Sequence, residues 1–211
     1  MESLPSGIQY RHWPVDDATA CVLLAHGLAE HTGRYEHVAA RLNERGVAVV
    51  GPDHIGHGAS PGVRVYLKAF SEYLEPMQTL RAHIDDWYPG RPVFLMGHSM
   101  GGLISAHLLL ISQAAFQGAM LSGPAFHAVD PAPAPLMLIG RMLRYLLPKL
   151  GMVSLDANGV SRDPAVVADY LADPLVYNGK ITTGLGIEML DAMEVAIARA
   201  GEITLPIYIA H

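Results

Sequence analysis

At 211 residues the chain is long enough for one domain with its own core and too short for two full ones. A net charge of −6 excludes the basic stripe that a nucleic-acid partner needs, and 51% hydrophobic against 16% charged residues excludes disorder. The single cysteine, Cys21, permits neither an intrachain disulfide nor a cysteine-based metal centre. Residues 1–10 carry no basic, apolar leader, and no apolar run reaches the ~20 residues that span a bilayer. These features predict a cytoplasmic protein, one that can still touch a membrane peripherally. The apolar surplus calls for a sheet buried on both faces or for an exposed apolar surface with a use.

In chain order, residues 8–13 alternate roughly and predict a strand. Residues 20–25 are wholly apolar, as in a strand buried on both faces, with Cys21 as a small core residue. Helical spacing follows over 35–45, through Val38 and Leu42, and ends at Gly46. Another apolar strand, 46–50, stops at Gly51-Pro52. A one-faced helix over 70–87, a buried strand over 92–96 and a strongly apolar helix over 100–111 come next. Short strands at 119–121 and 205–210 complete the set. Strands alternating with helices predict an α/β fold: a mostly parallel sheet with helices on both faces.

The pattern changes after residue 124. Pro131-Ala132-Pro133-Ala134-Pro135 reads as a stiff spacer. A very apolar helix over 136–147 carries Arg141 and Arg144, and Pro148, Gly151, Asn158-Gly159 and Asp163-Pro164 interrupt the chain beyond it. The sequence therefore divides into a core, 1–124 with 184–211, and a cap inserted over the sheet's edge at 125–183. Two readings of the 136–147 helix stand: an ordinary core helix, or a cap element facing an apolar ligand.

Gly97-His98-Ser99-Met100-Gly101 is a Gly-x-Ser-x-Gly sequence lying between a buried strand and an apolar helix. So tight a turn strains the serine, and glycines two before and two after relieve the crowding. Ser99 then stands at a helix N-terminus, where free N–H groups favour developing negative charge. A helix N-cap serine is the plainer role, but the flanking glycines favour a nucleophile. In a strand–turn–helix site of this kind the backbone N–H groups of Leu28 and Met100 form the oxyanion hole. His26 reads as a loop-stabilising hydrogen-bonder rather than a base.

Five stretches then carry a resemblance. Residues 26–35, His-Gly-Leu-Ala-Glu-His-Thr-Gly-Arg-Tyr, resemble the His-Gly-x-x-Glu-His-x-x-Arg-Tyr segment of monoacylglycerol lipases. Residues 51–60 resemble that family's Asp-x-Arg-Gly-His-Gly-x-Ser loop, with Ile55 in place of the arginine, and residues 97–102 match its Gly-His-Ser-Met-Gly-Gly elbow. Asp173-Pro174-Leu175 and Leu205-Pro206-Ile207 are similar to its later motifs. The resemblance implies an α/β-hydrolase fold with a helical cap. It implies a serine carboxylester hydrolase acting on monoacylglycerol or lysophospholipid esters, with no cofactor. It also implies that Glu30, Arg34 and His98 bind substrate at the polar end of a pocket holding glycerol. From the residues alone, Glu30 and Arg34 at i and i+4 read equally well as a simple ion pair. Asp53, His54 and His57 are expected to organise a glycine-rich loop, since a metal would want further ligands than those two histidines.

A triad in this fold runs serine, acid, histidine. The acid should follow the 205–210 strand and the base one strand later, so the sequence predicts a core lacking its last strands and helices, inactive alone. His211 resembles the histidine that closes this strand, not the base. His107 lies roughly 12 Å along the helix from Ser99, nothing orients His127, and Asp191 and Glu194 read as a solvated face. The last strand is expected to expose an unpaired apolar edge. The alternative function is a non-catalytic binder of an apolar ligand that keeps the oxyanion hole and cavity. A small lipid ester and peripheral membrane contact through 136–147 are the expected partners, and oligomeric state is not legible.

Overall fold

In the computed structural model, which describes residues 1–128, 133–154 and 157–211, the apolar runs form a seven-stranded sheet. Its strands are β1 (Glu2–Ser3), β2 (Gln9–Trp13), β3 (Ala20–Ala25), β4 (Val47–Pro52), β5 (Val93–His98), β6 (Gly118–Ser122) and β9 (Ile207–Ala210). The order is β1-β2-β4-β3-β5-β6-β9. The first two pairings, β1 with β2 and β2 with β4, are antiparallel and all the others parallel.

Period-two alternation sorts the side chains to two cores. Cys21, Leu23 and Ala25 of β3, with Ala48 and Val50 of β4, join the larger core under α2 (Leu74–Trp87) and α3 (Met100–Ser112). Val22, Leu24 and Val49 face the other way, against Tyr35 and Ala39 beside and within α1 (Glu36–Asn43). The expected buried strand over 92–96 is β5, whose Val93 and Leu95 are buried while Phe94 and Met96 are half-buried, because α1 covers β4 and β2 rather than β5.

Between β6 and the last strand lie α4 (Ala134–Leu146), a two-stranded ribbon of β7 (Gly151–Ser154) and β8 (Lys180–Thr182), α5 (Pro164–Ala172) and α6 (Thr183–Arg199). Residues 131 and 132 of the proline-rich spacer lie outside the described residues. Its remainder is no spacer: α4 begins at Ala134 with a proline in its first turn, where a missing N–H costs nothing. No helix among the described residues is long and apolar enough to cross a membrane. At the sheet's edge β9 pairs only with β6, leaving Ile207, Tyr208 and Ile209 exposed.

Candidate active site

Where β5 meets α3, Ser99 holds φ 51° and ψ −118°, a conformation L-residues rarely adopt. The surroundings enforce it. Its N–H donates to the Ser122 carbonyl at 3.0 Å, and its carbonyl accepts from Gly102 at 2.9 Å and Ala125 at 3.0 Å. A Cβ at Gly97 would strike the Gly101 carbonyl and the Ser105 hydroxyl, and one at Gly101 would strike the Ala25 and His26 carbonyls. The two glycines thus let α3 start hard against the ends of β3 and β5. Met100 is the first residue of α3, so its N–H has no intrahelical acceptor, and its side chain is wholly buried.

A second loop leaves β3 at His26. The His26 Nε2 accepts from the His54 N–H at 2.9 Å, so His26 braces the neighbouring loop. In that loop Asp53 accepts from the Thr32 N–H at 2.9 Å, the Thr32 hydroxyl at 2.6 Å and the Ala59 N–H at 2.9 Å. Burial alone would raise the Asp53 pKa, but these donors hold it below the ordinary carboxylate value. Ile55, where the resemblance leads one to expect arginine, packs against the core instead.

Glu30 is buried and committed to this loop. Its Oε1 accepts from the Gly27 N–H at 2.6 Å and from the Tyr35 hydroxyl at 2.6 Å, while Oε2 pairs with Arg34 Nε at 3.1 Å. Burial, and then the Glu30 carboxylate, push the Tyr35 phenol well above its ordinary pKa, so it stays a donor. Ala29 adopts a left-handed φ of 64° in the same turn, and no acceptor among the described residues takes the Leu28 N–H.

Leu28, Glu30, Arg34, His98 and Ser99 share the wall of one cavity of about 420 Å³. The opposite wall comes from the segment around α5: Val160, Tyr170, Tyr177 and Asn178. None of these four stood out in the sequence, and Tyr170 in particular is one residue of an apolar helix with nothing to mark it. The His98 Nδ1 lies 3.0 Å from the Ser122 carbonyl, so this nitrogen carries the proton and the ring is fixed at the cavity wall.

No histidine ring among the described residues hydrogen-bonds the Ser99 hydroxyl. His107 is tied to the Ala192 carbonyl at 2.9 Å, and His127 lines a separate groove with Met137 and Met193. Asp191 is partly exposed and Glu194 exposed, as a solvated face requires, and both pair across to α4: Asp191 with Arg141 at 3.0 Å and Arg144 at 3.2 Å, and Glu194 with Arg141 at 3.6 Å. Among the described residues no group of three or more His, Cys, Asp or Glu side chains could hold a metal ion. The site can therefore present a serine hydroxyl and two unclaimed backbone N–H groups to a carbonyl, in a cavity with a polar end.

Comparison with known proteins agrees with that geometry. A family model described as serine aminopeptidase, S33, matches residues 16–211. The chain is 40% identical over 205 residues to a Mycolicibacterium smegmatis monoacylglycerol lipase, covering 97% of this chain and 73% of that one. It is 32% identical to the human monoglyceride lipase, covering 93% of this chain and 65% of the human one. The crystal structure of a Paleococcus ferrophilus monoacylglycerol lipase superimposes with a TM-score of 0.84 at 30% identity, over 96% of this chain and 76% of that one. The chain thus spans between about two thirds and three quarters of these relatives.

Proposed function

Since the chain belongs to the serine aminopeptidase S33 family of α/β-hydrolases, alongside the monoacylglycerol lipases, we propose that it cleaves monoacylglycerol-like or lysophospholipid esters through an acyl-enzyme at Ser99. The observation that carries this reading is the strained Ser99 opening on the same cavity as Leu28. The Ser99 hydroxyl attacks the ester carbonyl and the Leu28 and Met100 N–H groups receive the oxyanion. Collapse expels the alcohol, and water then releases the fatty acid. Each such donor lowers the barrier by about 3 kcal/mol.

The family description names a peptidase, yet the cavity favours an ester. An aminopeptidase needs an unengaged carboxylate for the substrate's ammonium group. Glu30 is the one acid on the described wall, and its oxygens are taken by Gly27, Tyr35 and Arg34. In this reading Arg34 and His98 form the polar wall for a glycerol-like alcohol, and Glu30 supports them rather than touching substrate. Residues 125–183 act as the cap, and the exposed Leu138, Ile139, Met142, Tyr145 and Leu146 of α4 meet lipid peripherally from the cytoplasmic side.

The reading requires a general base, since an unassisted serine is a weak nucleophile. With no histidine on Ser99 among the described residues, the base and its acid come from a group outside them, and these 211 residues alone turn over little. The same observation supports the second reading, a non-catalytic apolar-ligand binder. Hydrolysis of a short p-nitrophenyl ester and of a monoacylglycerol, with Ser99→Ala as control, separates the outcomes. Turnover lost in the variant supports the acyl-enzyme. A folded chain that binds fatty acid, resists an activated phosphonate at Ser99 and stays silent when base-bearing sequence is supplied supports the binder.

A further inference from the structure

Three contacts join the loop that carries Leu28 to the segment facing it across the cavity. The Tyr177 N–H donates to the Ala29 carbonyl at 2.9 Å, one residue beyond Leu28. His31 Nε2 meets Asp173 Oδ2 at 2.8 Å, and the His31 side chain is almost wholly buried. The Arg34 guanidinium lies over the Tyr170 ring, 4.6 Å from its centroid. All three contacts hold the turn between Gly27 and Arg34, and all three partners fall between residues 170 and 177. Within that turn the left-handed position is Ala29, where a side chain makes the conformation costly.

We propose that Asp173 and Tyr170 are positioning residues: by gripping residues 29–34, the 170–177 segment holds the Leu28 N–H where an oxyanion would stand. The proposal rests on Ser99 and Leu28 having the roles given above. Hydrogen-bond chemistry makes the grip directional. His31 Nδ1 accepts from the Gly33 N–H at 3.1 Å, so the proton of the neutral ring is on Nε2, which donates to Asp173. The other Asp173 oxygen accepts from the Leu175 N–H at 2.8 Å. Asp173 therefore faces two donors with two acceptor oxygens. Asparagine has one acceptor, so in either flip an N–H group meets another N–H. Switching the His31 tautomer would only move the conflict to Gly33. Arg34 passes the Tyr170 contact inward, because its partner Glu30 is also the acceptor for the Gly27 N–H.

The test follows amide hydrogen exchange in the whole chain for Asp173→Asn and Tyr170→Leu, with Arg199→Ala on the exposed end of α6 as control. Exchange at Gly27, whose N–H is held by Glu30, should rise by about tenfold in both variants, while amides of β3 and β5 and the melting temperature hardly change. A rise spread evenly over the chain would mean a merely structural role and overturn the proposal. So would unchanged exchange at Gly27. A short alkyl boronic acid, which forms a tetrahedral adduct on serine with an oxygen in the oxyanion hole, supplies a second readout. Its affinity should fall about tenfold in Asp173→Asn with fatty-acid binding unchanged. Wild-type protein that takes up no boronate even when base-bearing sequence is supplied counts against the serine-hydrolase reading, while the exchange result alone still decides whether the 170–177 segment positions Leu28.

Discussion

At the scale of single residues, the chemistry is concentrated where backbone crowding is greatest. Gly97 and Gly101 are glycines for lack of space rather than for flexibility: the position a Gly101 side chain would take is filled by the carbonyls ending β3. Gly101→Ala must push α3 off the sheet, and it is expected to cost at least about 3 kcal/mol in urea denaturation or to prevent folding. Gly186, inside α6, has no atom within 4 Å of where its Cβ would lie. There alanine should stabilise by about 0.5–1 kcal/mol. Equal effects at the two sites would refute this account of the turn. The elbow was legible in the sequence because its glycines and serine must be contiguous. Glu30 was legible only as a choice between pairing and substrate binding. It makes the pair with Arg34, but its other oxygen carries the Gly27 N–H, a bond that spacing cannot reveal.

At the scale of elements, the helical pattern of α6 told which residues share a face but not what that face meets. Glu188 and Asp191 meet α4, which crosses α6 with Arg141 and Arg144, while Glu194 stays in water. Glu188, one turn earlier, accepts from the Phe70 N–H at 2.7 Å and pairs with Arg144, with its side chain only 9% exposed. The apolar side of α4 is meanwhile left largely exposed, so polar contacts carry much of its attachment to α6. Arg144→Met would strand the Glu188 carboxylate and should cost about 3 kcal/mol. It should also speed proteolysis within 133–154 ahead of the rest of the chain. Arg41→Ala breaks a pair whose side chains are 81% and 60% exposed, and should cost under about 1 kcal/mol. A loss of similar size in both would show that the α4–α6 pairs are as weak as surface ones.

At the scale of the whole molecule, three histidines from two loops, one after β3 and one after β4, converge. The His26 and His54 rings meet at a tilt with centroids 4.2 Å apart, His57 lies 5.6 Å from His26, and Tyr73 borders both His54 and His57. The sequence showed each as a loop organiser, but their meeting depends on β3 and β4 being neighbours, which only the topology provides. All three are buried, so burial drives their pKa values down, with the neighbouring rings adding to the fall at His54 and His57. His57 drops from an ordinary 6.5 to about 3. Folded protein then keeps these rings neutral while the unfolded chain binds protons below about 6.5. The unfolded state therefore binds more protons, and stability must fall as pH drops from about 6.5 towards 3. Asp53 and Asp173, whose folded pKa values lie below the ordinary 3.8, add losses of the same sign only at the acid end. The span from about 6.5 to 4.5 thus belongs to histidine, with His12 and His107, also depressed by burial, contributing beside the cluster. Each fully neutral ring contributes a slope of about 1.4 kcal/mol per pH unit there. Urea denaturation across that span should show the decline, and His57→Asn should lower the slope by one proton's worth whatever it does to stability at neutral pH. A slope unchanged in the variant would mean that His57 takes up its proton in the folded protein, and that the cluster is open to water.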